Sequence, residues 1–167
     1  MNDQRPLQAA HPGTTDLRVT TRQPSEPLAL HQRAVDGVSV KTDGNGHQSR
    51  VLVIDDDGEL AEVLRQPLRE SGYAVATVRH GAAALDLIGQ IQPDLILLDL
   101  RMPIMDGWSF VAQYRRSRKL AGRIVLVSGH PEVREISQRL GADAYVEKPF
   151  ELVQLLRTVQ QQLGAVG

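Results

Sequence analysis

Asp94–Gly107, reading DLILLDLRMPIMDG, is the stretch that decides the fold. Its four consecutive apolar residues, Leu95–Leu98, are too few for a membrane span and suit a strand buried on both faces, ended by an acid and a proline-containing loop. Asp99 then stands at a strand's carboxyl end. In open parallel sheets ligands bind just outside those ends, so a lone carboxylate is well placed there for chemistry. An Asp after a strand is also a common turn residue or helix cap, and its position alone does not separate the two readings.

The partners separate them. VLVIDDDG, Val51–Gly58, is a second apolar run ending in acids, and RIVLVSG, Arg123–Gly129, is a third, ending in a hydroxyl. A shorter strand in DAYVEKPF ends with Lys148 and Pro149. Each run delivers its polar residue to the same edge of one parallel sheet, so three acids, a hydroxyl and a lysine converge. On these residues the chain, from about 50 to 163, resembles the receiver domain of two-component response regulators. The shared features are the acidic pair, the D-x-x-M-P-x-M-D-G block, the hydroxyl and the K-P-F, in that order.

The rest of the pattern alternates strand with helix. Leu60, Val63, Leu64, Pro67 and Leu68 fall on one helical face ending near Gly72, where Pro67 should kink or shorten the helix because it cannot donate to the carbonyl four residues back. A strand over Ala74–Val78 and a helix over Ala82–Gln92, stopped by Pro93, precede the central strand. A helix from about Trp108 follows, with Phe110, Val111 and Tyr114 on its face and the basic Arg115, Arg116, Arg118 and Lys119 toward its end, where they suit the helix dipole. After Arg123–Ser128 come a helix marked by Val133, Ile136 and Leu140, a strand over Asp143–Glu147, and a helix marked by Leu152, Leu155, Leu156, Val159 and Leu163. Five strand and helix pairs predict an α/β fold with helices on both faces of a parallel sheet. Periodicity does not give strand order; the resemblance implies a doubly wound, flavodoxin-like sheet in the order 2-1-3-4-5.

Composition adds bounds. At 167 residues, net charge −1 and 41% hydrophobic residues, the chain reads as globular and gives nucleic-acid binding no support. With no cysteine, disulfides, thiol catalysis and cysteine-based zinc sites drop out together. No signal peptide or membrane span is visible, and a cytoplasmic location is expected. Residues 1–48 show no sustained period and read as a disordered leader and linker, with residues 49–164 as the domain. Leu28–Val40 is the leader's most apolar part, with room for a short helix or hairpin. Its His11, His31 and His47 are not spaced as metal ligands. The expectation is a stand-alone receiver with a leader and no DNA-binding output domain.

The resemblance also implies roles. Asp99 is the phosphoacceptor, with Lys148 and Ser128 completing the catalytic set. Mg²⁺ is the cofactor, with Asp56, Asp99 and the Arg101 carbonyl as direct ligands and Asp55 acting mainly through water; a hard cation suits such oxygens. Asp57 has no assigned role, and helix capping by Asp56 or Asp57 is the structural alternative for this acidic run. Lys148 pairs with Asp99 at rest, and the Lys148–Pro149 bond is expected to be cis. Ser128, in place of the commoner Thr, and Tyr145 form the switch, with Gly129 allowing close backbone approach. Arg101 and His130 tune the lifetime of the phosphate, and Asp106 caps the helix near Trp108. The implied partners are a sensor histidine kinase or phosphotransfer protein and a downstream protein target, with a homodimer through the fourth and fifth helices left open.

Two rivals stand beside this reading. VIDDDG also fits the hhhDxDG start of haloacid-dehalogenase-type phosphatases, with Asp55 as nucleophile and Asp57 as acid, although Glu59 sits where that family wants Thr and only Glu151 follows Lys148 as an acid. The other rival is a receiver-like interaction module that works without phosphorylation.

Overall fold

The computed structural model describes residues 46–116 and 121–164. The expectations for the leader before Gly46, and for Arg118 and Lys119, fall outside these residues. Five strands, β1 (Arg50–Ile54), β2 (Ala74–Val78), β3 (Leu95–Leu98), β4 (Arg123–Ser128) and β5 (Ala144–Glu147), form one sheet in the order β2-β1-β3-β4-β5. All four pairings are parallel. Five helices connect or follow them: α1 (Gly58–Glu70), α2 (Gly81–Ile91), α3 (Gly107–Tyr114), α4 (Val133–Leu140) and α5 (Leu152–Gly164). The doubly wound architecture and the strand order agree with expectation.

Strand alternation divides the apolar residues between two cores. Leu52 and Ile54 of β1, Ile96 and Leu98 of β3 and Leu126 of β4 meet Ala84 and Ile88 of α2, Phe110 and Tyr114 of α3, and Ile136 of α4. Val51, Val53, Leu95, Leu97 and Val127 meet Leu64 and Leu68 of α1 and Leu155 and Val159 of α5 on the other face. Central strands buried on both faces explain why LILL and VLVI show no polar alternation. Each such side chain contributes roughly 1.5–3 kcal/mol by leaving water.

The first helix departs from its expected shape. It runs through Pro67 to Glu70 without stopping, and Val63, expected on its apolar face, is 60% exposed. The two facts are related. Pro67 leaves the Val63 carbonyl without its donor, and a residue that faces water can hydrate that carbonyl. Leu64 and Leu68, both fully buried, hold the helix on the sheet across the defect. The linker reading also needs adjustment, because Gln48 donates to the Gly72 carbonyl at 3.0 Å and the Ser49 carbonyl accepts from Ala74. Gln48 is therefore tied to the domain.

Among the described residues two non-glycine positions have positive φ, Gln92 at the C-cap of α2 and Ile104. Ile104, in the loop after β3, has φ +67° and is 81% exposed, so a β-branched residue holds a left-handed conformation with little burial to offset its cost. Ile104→Asn should raise stability by about 0.5–1 kcal/mol, read as an increased urea midpoint at constant m-value. An unchanged or lower midpoint would show that Ile104 gains more from its neighbours than it loses in backbone strain.

Candidate functional site

The ladder that pairs β1 with β3 sets the site. Ile54 lies opposite Leu98, so the next residue of each strand, Asp55 and Asp99, emerges side by side at the carboxyl edge. Asp99 N–H donates to the Ile54 carbonyl at 2.9 Å and Asp55 N–H to the Val78 carbonyl at 3.1 Å, which fixes both backbones. At the other side Ser128 pairs with Glu147, and Lys148 N–H donates to the Ser128 carbonyl at 3.0 Å. The lysine is thereby carried to the acids from 93 residues away in sequence.

Three consecutive acids take three different tasks. Asp55 is buried; its Oδ2 accepts from Lys148 Nζ at 2.7 Å and its Oδ1 from Asp57 N–H at 3.0 Å. Asp56 is exposed, yet one oxygen each from Asp55, Asp56 and Asp99 lie within 4.8 Å of one another. Asp57 caps α1, its Oδ1 accepting from the Glu59 and Leu60 amides at 3.0 Å each. The capping alternative thus holds for Asp57 and not for Asp56. An acid committed to a helix cap is also poorly placed to act as the general acid of the dehalogenase-type rival.

Asp99 is 7% exposed. Its Oδ1 accepts from Leu100 N–H at 2.8 Å and lies 3.9 Å from Lys148 Nζ. Among the described residues nothing donates to its Oδ2, and no described side-chain oxygen is buried without a partner, so Oδ2 opens to solvent. Lys148 thus keeps the expected ion pair with Asp99 and makes a closer one with Asp55, which the sequence did not indicate. The ammonium sits where it faces both acids while keeping one Asp99 oxygen clear.

Around this centre the loops are held by few, specific contacts. Gly107 is required, because a Cβ there would stand 2.6 Å from the Asp99 carbonyl oxygen. At Gly129 a Cβ would meet Lys148 only at ordinary contact distance, so the close approach expected at Gly129 belongs to Gly107. Asp106 caps α3 as expected, accepting from Ser109 N–H at 2.8 Å. The Lys148–Pro149 peptide is cis. Ser128 is buried and its Oγ accepts from His130 N–H at 3.4 Å, whereas Tyr145 is 40% exposed. Arg101 is exposed.

Two features were missed from the sequence. His80 caps α2, its Nδ1 accepting from Ala83 N–H at 3.1 Å, and histidine is not among the residues that signal a cap. Gly81 N–H donates to the Met105 carbonyl at 3.1 Å, tying the start of α2 to the loop beside Asp99. No local pattern announces a bond between segments that far apart.

Burial pushes the Asp55 carboxyl above its ordinary range; the Lys148 bond and charge and the Asp57 amide oppose this, and the nearby Asp99 charge adds to it. A carboxyl whose folded pKa lies above its unfolded value of about 3.9 binds protons more tightly in the native state, so its contribution to stability falls as pH rises through that window. With chelator present, wild type should lose stability relative to Asp55→Asn as pH is raised from about 4. Urea unfolding at stepped pH reads this difference; one that stays flat or grows in favour of wild type contradicts it.

The chain resembles known proteins in the same terms. The Response regulator receiver domain matches residues 51–160. Transcriptional regulatory protein PrrA of Mycobacterium tuberculosis is 39% identical over 119 residues, covering 71% of this chain and 51% of that protein. DNA-binding response regulator MtrA of Mycolicibacterium paratuberculosis is 35% identical over 118 residues, covering 70% and 52%. The chain spans about half the length of these relatives. Among solved structures, response regulator protein TrrA of Thermotoga maritima, in complex with Mg²⁺ and BeF, is 31% identical with a TM-score of 0.63, covering 70% of this chain and all of that one. The acids at the sheet edge, the 2-1-3-4-5 order and the matched span agree, and the chain belongs to the family of response regulator receiver domains.

Proposed function

We propose that this protein receives a phosphoryl group on Asp99 from a histidine-phosphorylated partner and passes the signal on by changing conformation. The observation that carries the reading is the free Oδ2 of a buried carboxylate, set beside two more acids and a lysine. In the transfer, Asp99 Oδ2 attacks phosphorus, the new P–O bond forms, and the donor's P–N bond breaks with its electron pair returning to the imidazole. Asp99 Oδ1 is meanwhile held by Leu100 N–H, which fixes the carboxylate plane for in-line approach. The Lys148 ammonium, already 3.9 Å from Asp99, shifts to a phosphoryl oxygen and offsets the added negative charge.

The donor set fits a magnesium ion. Three carboxylates supply hard oxygens within 4.8 Å, and facing one ammonium they repel each other by roughly 3 kcal/mol per pair at an effective dielectric of about 20. Asp56, Asp99 and the Arg101 carbonyl would hold the ion, with Asp55 steadying its waters. When bound, Mg²⁺ neutralises the acids and the phosphoryl oxygens. Ser128 then turns its hydroxyl to the phosphoryl group, and Tyr145 moves inward. These are the switch.

Residues 49–164 are the receiver, and its partners are proteins: a sensor histidine kinase or phosphotransfer protein upstream and a protein target downstream. The DNA binding in the name of MtrA is a property of that longer protein. Among the described residues no helix is long and apolar enough to cross a membrane, and a cytoplasmic site of action fits a kinase-fed receiver. The module catalyses only its own phosphorylation and dephosphorylation.

Acetyl phosphate with Mg²⁺, followed by Phos-tag electrophoresis, tests the assignment. Wild type should be labelled once, Asp99→Asn not at all, and Asp56→Asn should need about tenfold more Mg²⁺. Label retained by a folded Asp99→Asn protein would overturn it.

Lifetime has its own test. Arg101, two residues past Asp99 and exposed, is assigned by its bulk to slowing the approach of hydrolytic water, and His130, two residues past Ser128, to adding to that obstruction. Arg101→Ala should shorten the phosphate half-life a few-fold, a barrier change of roughly 0.5–1 kcal/mol. Single-turnover decay of the purified phosphoprotein measures it, and an unchanged or longer half-life refutes it.

A further inference from the structure

The first turn of α4 is held by a residue that lies outside it. A helix start has four N–H groups without intrahelical acceptors, and the α4 N-cap, Glu132, makes no side-chain capping bond. His130 supplies acceptors in its place. Its carbonyl accepts from Val133 N–H at 3.0 Å and its ring Nδ1 accepts from Glu132 N–H at 3.1 Å. The same residue's own N–H donates to Ser128 Oγ at 3.4 Å, a distance that marks a weak bond.

The ring has a second neighbour. It meets Trp108 of the first turn of α3 edge to face, with centroids 6.1 Å apart and planes at 78°, an arrangement favoured by the ring quadrupoles. At the opposite end, the Arg115 guanidinium from the α3 C-cap donates to the carbonyl of Gly141, the C-cap of α4. Among the described residues, besides the apolar packing of α3 and α4 in the shared core, these two contacts join α3 to the two ends of α4. The one at the finish of α4 is a charge-assisted hydrogen bond, and the one at its start is a neutral ring pair, which is the weaker kind.

We infer that His130 is a positioning residue, a latch that holds the start of α4 against Trp108 while Ser128 Oγ accepts from its backbone. A hydroxyl that turns to donate to a phosphoryl oxygen leaves the His130 N–H behind. The latch then opens at the start of α4, and the helix pivots about the Arg115–Gly141 tie. This inference rests on the phosphoacceptor reading and adds to it the route by which Ser128 moves α4. It is distinct from obstruction of water at the mouth, because it concerns the Nδ1 acceptor and the Trp108 contact rather than the approach to phosphorus.

Beryllofluoride with Mg²⁺ at saturation, as a stand-in for the phosphoryl group, separates the latch from lifetime. Amide hydrogen exchange at residues 132–136 and Trp108 emission are read in wild type, His130→Asn and His130→Phe. In wild type, beryllofluoride should speed exchange of the Glu132 and Val133 amides by about fivefold to tenfold, the scale of a lost cap, and change Trp108 emission. His130→Asn keeps a side-chain acceptor for the amide two residues on but loses the ring, so exchange should stay slow until beryllofluoride is added while emission no longer responds. His130→Phe keeps a ring and the backbone carbonyl that Val133 uses but loses the side-chain acceptor, so exchange of the Glu132 amide should be fast from the outset and change less than twofold on addition. Wild-type protection and a full response in His130→Phe would overturn the latch while leaving the phosphoacceptor reading intact. Failure of wild type to bind beryllofluoride would remove both.

Discussion

Carboxylates that end neighbouring strands repel one another, and the Lys148 ammonium is the cation the chain itself sets against that repulsion. The pairing of Ile54 with Leu98 forces Asp55 and Asp99 together, and the pairing of Ser128 with Glu147 brings the lysine to them. Neither acid could be this buried without it, because removing a charge from water costs several kcal/mol unless a partner repays it. The charges are nevertheless left unequal, with three carboxylates facing one ammonium. A small hard cation would offset that imbalance, which a fully compensated cluster would not have.

The same economy governs the neighbouring loops. DDDG spends one acid on Lys148, one on the shared cluster and one on starting α1, so a run that looks redundant in sequence is divided by where each residue leaves the strand. Local rules agree with the fold almost everywhere, and two of the exceptions lie near the site. Ile104 sits in a left-handed conformation in the loop after Asp99, and α4, which begins close to Ser128, lacks a side-chain cap. A helix start secured by a histidine before it, rather than by its own cap, has less holding it in place than α1 or α3. Low local stability is a property that moving elements share.

Pro67 shows the opposite balance. Propensity argues for a break in α1, and burial of Leu64 and Leu68 wins because those two side chains together outweigh a proline defect of about 3 kcal/mol whose orphaned carbonyl can meet water. The exposed Val63 in the same turn is the other side of this: an apolar residue at helical spacing need not reach the core when the stripe that does is only Ala61, Leu64 and Leu68 wide.

By itself the sequence determined the elements and the residues at the sheet edge. Apolar runs ending in Asp55, Asp99 and Ser128 are local patterns, and a strand's end is where its polar residue must emerge, so strand number, helix number, the Asp106 cap and the members of the acidic cluster were all legible. Tertiary structure decided what depends on segments distant in the chain. It placed α2, α3 and α4 on one face and α1 and α5 on the other, gave Lys148 to Asp55 ahead of Asp99, joined Gly81 to Met105, and set the His130 ring on Trp108. Each of those follows from sheet register and crossover packing, which bring together residues that no window of sequence contains, and hydrophobic periodicity records which side of an element is buried but not what it is buried against.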